Sequence, residues 1–170
     1  MPYNLTNLAC GDIILVRGHP GLWPPGSWLD AGIEFATLSP YAHACLVGAH
    51  GRIINPLWHV QYSPLDRYAA DGDAFRVVSA TPEQRQAATQ WARRRIGLDY
   101  GLKELLEDGA RDLAHIPLLP RVHEQHWTCS GFVAASYLAA GVTLTRAVLP
   151  SPADLFNSPL LLPVGGVVVD

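Results

Sequence analysis

Cys129 has a residue type and a position that would support nucleophilic catalysis. It follows Thr128 and precedes an apolar stretch, Gly131 to Ala140, which predicts a helix that ends at Gly141. The first turn of a helix presents free N–H groups and the positive end of the helix dipole, and both favour a thiolate over a thiol. The pattern therefore predicts Cys129 as a nucleophile whose backbone N–H faces a developing oxyanion. The alternative is a small buried residue at a helix start.

His43 is the residue that could act as the base of such a nucleophile. It lies in the apolar run Ala42 to Val47, which predicts a strand, and a second strand is predicted from Arg52 to Asn55. A lone His in an apolar strand is more often a core residue with a satisfied side chain. If the two strands pair as a hairpin, however, Asn55 lies beside His43.

Asn55 would then take the third role of a Cys–His–polar triad. Its side chain would accept a hydrogen bond from one ring nitrogen of His43 and direct the other nitrogen at the thiolate of Cys129. The alternative is a strand-ending Asn before Pro56, which is a common turn pattern. His59 is a rival for the same role.

The remaining predicted elements would position these residues. Further strands are predicted at Ile13 to Val16, Trp58 to Tyr62 and Ala74 to Val78, and a Ser-capped helical turn at Ser63 to Tyr68. Thr81-Pro82-Glu83-Gln84 predicts a capped helix that runs to about Ile96, and Pro150 to Phe156 predicts a capped turn. Segments 19–26 and 115–126 read as loops, and segments 27–37 and 102–113 as short helices. This order predicts the α+β class, with an antiparallel sheet packed against helices, in one domain spanning residues 1–170.

Several of these segments together resemble a known family. They are Gly11-Asp12-Ile13-Ile14, Tyr41-Ala42-His43-Ala44, Gly51-Arg52-Ile53-Ile54-Asn55, Gly97-Leu98-Asp99-Tyr100, Thr128-Cys129-Ser130-Gly131-Phe132-Val133 and Pro152-Ala153-Asp154-Leu155. The set is similar to circularly permuted papain-like cysteine hydrolases of the NlpC-type cell-wall peptidase superfamily, which includes lecithin:retinol acyltransferase-like proteins. In the unpermuted family the cysteine helix precedes the histidine strand. Here His43 comes first, as a permutation implies.

The resemblance implies a permuted papain-like fold and a role for each matching residue. Cys129 would be the nucleophile, His43 the general base, Asn55 the orienting residue, and Tyr100 a hydroxyl on the oxyanion side. The sequence departs from the family at two positions. Thr128 stands where the motif has Asp, and Asn55 stands where permuted members often carry an acidic residue, which would stabilise an imidazolium more strongly than an amide does.

Three further residues are predicted to contact the substrate. Trp127 is adjacent to the cysteine segment and is the best placed aromatic residue for lining a cleft, Trp23 lies in an apolar loop, and Ser130 follows the nucleophile. The histidines His115, His123 and His126 with Glu124 suggest a metal only weakly, since their segment is not convincingly helical and zinc needs three or four convergent ligands. We therefore expect no metal and no cofactor.

Composition limits the classes of partner. The chain has 170 residues, of which 49% are hydrophobic and 16% charged, with a net charge of −3, so it predicts a packed core and no basic surface for nucleic acid. The chain contains no run of about 18 apolar residues, so no integral membrane segment is predicted. The three cysteines, Cys10, Cys45 and Cys129, include no CxxC pair and indicate a reduced compartment with a free thiol. The sequence predicts no oligomeric state.

Three functions follow from these observations. The first is cleavage of an amide bond through a thioester, with cell-wall peptides as the substrate that the resemblance implies. The second uses the same Cys–His pair on an acyl substrate, as a lipid acyltransferase or thioesterase, with an acyl groove along Leu22-Trp23-Pro24 and the apolar tail. The third is a papain-like fold used as a binding or assembly module. The N-terminus has no standard signal peptide and predicts a protein made in the cytoplasm, so a cell-wall substrate would require signal-independent export or phage-type release.

Overall fold

The computed structural model describes residues 7–18, 39–57, 59–98 and 128–164. These residues form six strands: β1 (Ile13–Arg17), β2 (Tyr41–Val47), β3 (Arg52–Pro56), β4 (Val60–Pro64), β5 (Gly72–Val77) and β6 (Leu161–Pro163). They also form three α-helices, α1 (Pro82–Arg93), α2 (Cys129–Ala139) and α3 (Pro152–Phe156), and a 3-10 helix at Leu65–Tyr68. The predicted α+β class is confirmed for this part of the chain.

The strands of the described residues form one antiparallel sheet in the order β4-β3-β2-β1-β5-β6. Strand β1 is central and pairs with β2 through Leu15↔Ala44 and with β5 through Leu15↔Asp73. Strands β2 and β3 form the predicted hairpin. The apolar runs of β1 and β2 are continuous rather than alternating because both faces of the sheet are covered at these strands.

The two faces of the sheet have separate cores. One face packs against the helices and includes Ile13, Leu15, Ala44, Leu46 and Ile54 from the strands, Ala88 and Ala92 from α1, Phe132, Val133 and Tyr137 from α2, and Leu155 from α3. The opposite face carries Ile14, Val16, Cys45, Val47, Ile53 and Ala74, covered by Tyr68 of the 3-10 helix. Since side chains alternate along a strand, His43 belongs to the face of Cys45 and Val47.

Helix α2 is apolar around much of its circumference because it lies between β2 and α1. The ring centroid of Phe132 lies 5.6 Å from that of Trp91 in α1, and Gln84 of α1 donates to the carbonyl oxygen of Ala140 at 3.3 Å. Gly141, at φ +79°, ends the helix in a left-handed conformation that favours glycine. The strong apolar run of the sequence therefore marks a helix buried on opposite sides.

The Gly11-Asp12 pair holds the start of β1 against the helices. Gly11 has φ +89°, and a Cβ there would lie 2.6 Å from the Cβ of Arg85 in α1. The carbonyl of Gly11 accepts from the hydroxyl of Tyr137 in α2. The buried carboxylate of Asp12 accepts from Arg76 at 2.8 and 2.7 Å and from the backbone of Ala9 at 2.8 Å. The motif thus has a packing role in this structure.

The helix starts follow the predicted caps. Thr81 and Gln84 form a reciprocal capping box at α1, as predicted, and Ser151 with Asp154 forms another at α3. Helix α1 ends at Arg93 rather than near Ile96, because the chain continues in turns up to Gly97 at φ +87°.

Two predictions near the sheet edges differ from the structure. Ser63 was expected to cap a helical turn, and this prediction is wrong: Ser63 is the fourth residue of β4, and the 3-10 helix has Pro64 at its N-cap position with no side-chain cap. The hydroxyl of Ser63 is used instead by the buried amide of Asn55. Strand β4 covers Val60–Pro64, and the predicted start of this strand at Trp58 lies outside the described residues. The apolar tail contributes the edge strand β6, which the sequence patterns did not predict.

Several predicted segments lie outside the described residues: the loops at 19–26 and 115–126, the helices at 27–37 and 102–113, and Trp58. Among the helices that are described, none combines the length and the apolar character required to cross a bilayer.

Candidate active site

Cys129 is the first residue of α2, and Thr128 fixes the start of that helix. The Thr128 hydroxyl accepts from the backbone N–H of Gly131 at 3.0 Å and donates to the carbonyl of Pro150 at 3.1 Å. A Cβ at Gly131 would lie 2.9 Å from that hydroxyl oxygen, so glycine is needed for the cap to close. Threonine therefore serves as N-cap of this helix, and it leaves Cys129 partly exposed at the positive end of the helix.

Strands β2 and β3 separate next to this helix start. Their pairing covers Leu46↔Ile54 and Val47↔Ile53, whereas β2 remains paired with β1 as far as Tyr41 and β3 with β4 as far as Pro56. The backbone of Ala44 makes a hydrogen bond to Cys129 that lowers the pKa of the thiol. Because only a donor has that effect, the group is the Ala44 N–H. The opening between the strands thus lets α2 place Cys129 against β2.

His43 and Asn55 meet across this opening. The His43 Nε2 atom lies 2.8 Å from the Asn55 Oδ1 atom, and both side chains are buried. The His43 ring is also hydrogen-bonded to Cys129. The structure therefore brings Cys129, His43 and Asn55 together in the order that the sequence patterns predicted.

The amide of Asn55 is enclosed by polar side chains on the sheet face opposite the helices. Its Nδ2 donates to the Ser63 Oγ and the Tyr68 Oη, each at 3.1 Å, and its Oδ1 accepts from the Cys45 thiol at 3.4 Å as well as lying against His43. The side chain is fully buried, and both amide hydrogens and the carbonyl oxygen have partners. A buried amide satisfied in this way has little freedom to rotate.

The surroundings of the Cys129–His43 pair favour its charged form. Burial by itself lowers the pKa of His43, but the neighbouring Cys45 and Cys129 outweigh it and hold that pKa well above its ordinary value. Burial by itself raises the pKa of Cys129, but the charge and hydrogen bond of His43, then the Ala44 N–H and the Ser130 hydroxyl, bring it below its ordinary value. The two shifts are those expected of a thiolate–imidazolium pair.

The other predicted site residues fall into two groups. Ser130 is fully buried, and its hydroxyl oxygen lies 3.8 Å from the Cys129 Sγ, so it is placed to act on the thiol rather than to touch a substrate. His59 is exposed, and the position against His43 is taken by Asn55. The second group, which lies outside the described residues, consists of Tyr100, Trp127, Trp23 and the histidine cluster His115, His123, His126 with Glu124.

Cys45, Ser63 and Tyr68 are site residues that the sequence analysis did not select. A signal was available for Cys45, since it lies two residues after His43 in a strand and must share its face. Ser63 is brought to the site by the pairing Ile53↔Ser63, and Tyr68 by the 3-10 helix that crosses the sheet face. Neither placement follows from local sequence.

No group of three or more His, Cys, Asp or Glu side chains suited to a metal ion occurs among the described residues. Neither a protein-family model nor a curated protein matches this chain.

Proposed function

We propose that this protein is a cysteine hydrolase of the permuted papain-like type, which cleaves an amide bond through a thioester. The observation that carries the proposal is the contact chain from Cys129 to His43 to Asn55, with the imidazole buried between a thiol and an amide oxygen. Nucleophile, base and orienting group are the three parts of a Cys–His–polar triad.

The first half-reaction forms the acyl-enzyme. The Cys129 thiolate attacks the carbonyl carbon of the substrate amide, and the C–N bond breaks as the His43 imidazolium gives its proton to the leaving amine. The backbone N–H of Cys129 lies in the first turn of α2, outside the hydrogen bonds of the helix, and is available to the oxyanion. Tyr100 is the second donor that the family resemblance implies.

The second half-reaction releases the acyl group. Neutral His43 takes a proton from water, the hydroxide attacks the thioester carbon, and the carboxylic acid leaves while Cys129 returns to the thiolate. Asn55 holds the ring in place through both steps, because its Oδ1 accepts the Nε2 proton in the neutral and the charged imidazole alike. The net reaction is the hydrolysis of one amide bond by one water molecule.

The order of the site along the chain supports the permuted form of the fold. The histidine strand β2 precedes the cysteine helix α2, and both pack in one α+β unit around the antiparallel sheet. The resemblance described above extends the proposal to the substrate class, short peptides of the bacterial cell wall.

Mass spectrometry of products and of the enzyme itself tests this proposal. The wild-type protein is incubated with cell-wall peptides and, separately, with acyl esters, and both the released amines and an acyl adduct on Cys129 are sought. Cys129→Ala should abolish cleavage and adduct, whereas Cys10→Ala, which changes a partly exposed thiol bonded to Thr89, is the matched control and should leave both unchanged.

Three outcomes would contradict the proposal in distinguishable ways. Cleavage that persists in Cys129→Ala would remove the assigned nucleophile. Turnover of acyl esters without cleavage of peptides would replace amide hydrolysis by acyl transfer or thioester hydrolysis. An intact Cys129–His43 pair with neither turnover nor adduct would favour a binding or assembly module.

A further inference from the structure

The two ends of an Asn amide have nearly the same shape but opposite hydrogen-bonding character, so the role of Asn55 depends on which end faces His43. We propose that Ser63, Tyr68 and Cys45 are positioning residues that hold the Asn55 amide in one orientation and thereby select the His43 tautomer able to accept a proton from Cys129. This inference rests on the proposed role of His43 as the base of Cys129.

The contacts of the amide define the orientation. The NH₂ end points at two hydroxyl oxygens, Ser63 Oγ and Tyr68 Oη, each 3.1 Å away. The carbonyl end points at the His43 Nε2 at 2.8 Å and the Cys45 Sγ at 3.4 Å. A hydroxyl can accept from an NH₂ group or donate to a carbonyl, whereas a thiol is a weak acceptor that can donate. The Cys45 side of the amide is therefore the side that suits the carbonyl end.

After a rotation of the amide by 180°, the two hydroxyls could donate to the carbonyl, but the contacts with Cys45 and His43 would become unfavourable. The NH₂ group would then face the sulfur of Cys45, where a buried donor would make only a weak bond. Its other hydrogen would face His43 Nε2, which could accept it only without a proton of its own. The neutral ring would have to carry its proton on Nδ1, the nitrogen left for Cys129 in the observed arrangement, and could not act as the base.

The groups that face the imidazole come from each element packed around it. Cys45 lies on the same strand, Cys129 approaches from α2, and the Tyr68 ring of the 3-10 helix meets the His43 ring edge-on at 5.9 Å. Asn55, from β3, contributes its amide oxygen to the Nε2 atom of this ring. The orientation of this one amide therefore bears directly on how a proton is shared between His43 and Cys129.

The test removes the two hydroxyl acceptors and measures the reactivity of Cys129. The double variant Ser63→Ala/Tyr68→Phe keeps the aromatic ring against His43 but leaves the Asn55 NH₂ group without its acceptors. The pH profile of Cys129 alkylation by iodoacetamide is followed by mass spectrometry, with Cys10 as an internal reference thiol and thermal melting as the check on folding. We expect the midpoint to rise by about one pH unit, a tenfold change of the kind that follows the loss of neutral hydrogen bonds.

The Asn55→Asp background separates positioning from general support of the structure. A carboxylate has no donor end and needs no clamp, so adding Ser63→Ala and Tyr68→Phe to Asn55→Asp should not raise the midpoint. If the double variant fails to fold, the single variants Tyr68→Phe and Ser63→Ala are read in the same way.

Two results would overturn the inference while leaving the proposed function in place. One is a folded double variant with the midpoint of the wild type. The other is an equal upward shift in the Asn55→Asp background, which would show that the hydroxyls only support the local packing. By contrast, a wild-type midpoint at Cys129 no lower than that of Cys10 would count against the Cys–His pair itself, and hence against the proposed function.

Discussion

Replacement of His43 by Ala should raise the pKa of the Cys129 thiol. In the wild-type protein burial raises this pKa, and the His43 charge and hydrogen bond are the largest of the opposing effects. An opposite charge within hydrogen-bonding distance changes a pKa by about 1–3 units. The alkylation midpoint of Cys129, which lies below that of an ordinary cysteine in the wild type, should therefore rise by about 1–3 pH units in the variant, which corresponds to roughly 1.4–4 kcal/mol.

The assay is the complete pH profile of iodoacetamide alkylation, read peptide by peptide. A single rate at neutral pH would be misleading, because a thiolate of low pKa is also an intrinsically weaker nucleophile. The position of the midpoint is independent of that effect. Cys45 is buried and should react slowly, and Cys10 supplies the profile of a thiol outside the site.

His59→Ala is the matched control for this experiment. His59 is exposed, and the structure places Asn55 rather than His59 against His43. The control should therefore leave the Cys129 midpoint unchanged. A midpoint that does not move in His43→Ala would refute the pairing, and a midpoint that moves in His59→Ala would restore His59 as the third residue of the site.

Two further predictions concern stability. The difference in unfolding free energy between the wild type and the His43→Ala/Cys129→Ala variant should show a plateau between about pH 6.5 and 8.5. The stabilisation from His43 is complete below about pH 6.5 and is lost as the pH rises through its raised pKa, whereas the stabilisation from Cys129 is complete above about pH 8.5 and is lost as the pH falls through its lowered pKa. Between these two pH values the slopes of the two contributions are opposite and cancel. Urea unfolding across the pH range checks this, and a difference that changes steadily through that window would contradict it. Gly11→Ala should destabilise the protein by clearly more than the roughly 1–2 kcal/mol expected of Gly51→Ala. Both glycines have positive φ, but only a Cβ at Gly11 would meet another atom closely, the Cβ of Arg85 at 2.6 Å. Equal losses of unfolding free energy in urea titrations would contradict the close-approach argument.

Local sequence predicted most of the described elements because their signals lie within a few residues. The apolar runs of β1 and β2, the Thr81 capping box and the apolar stretch of α2 each depend on periodicity or on a cap within one turn. The edge strand β6 was missed because a three-residue strand has no periodicity to detect and is defined by its pairing with β5. Ser63 was misassigned because a Ser before Pro is as typical of a cap as of a strand end.

For the candidate site, too, local signals predicted some residues, and the residues that depend on strand pairing and packing were missed. Cys129, His43 and Asn55 were found from their residue types, the helix start and the hairpin. The partners of the Asn55 amide were not found, since Ser63 and Tyr68 reach it through strand pairing and through packing of the 3-10 helix.

The sequence by itself determined which side chains can do chemistry and which elements carry them, because helix caps, strand runs and residue chemistry are local properties. Only the tertiary structure decided that β2 and β3 separate at His43, that Ala44 and Cys129 meet there, and that the Asn55 amide is enclosed on the opposite face of the sheet. These arrangements depend on the pairing register and on packing between residues far apart in the chain. A local pattern does not specify such contacts, because their free energy exists only once the sheet and helices have come together.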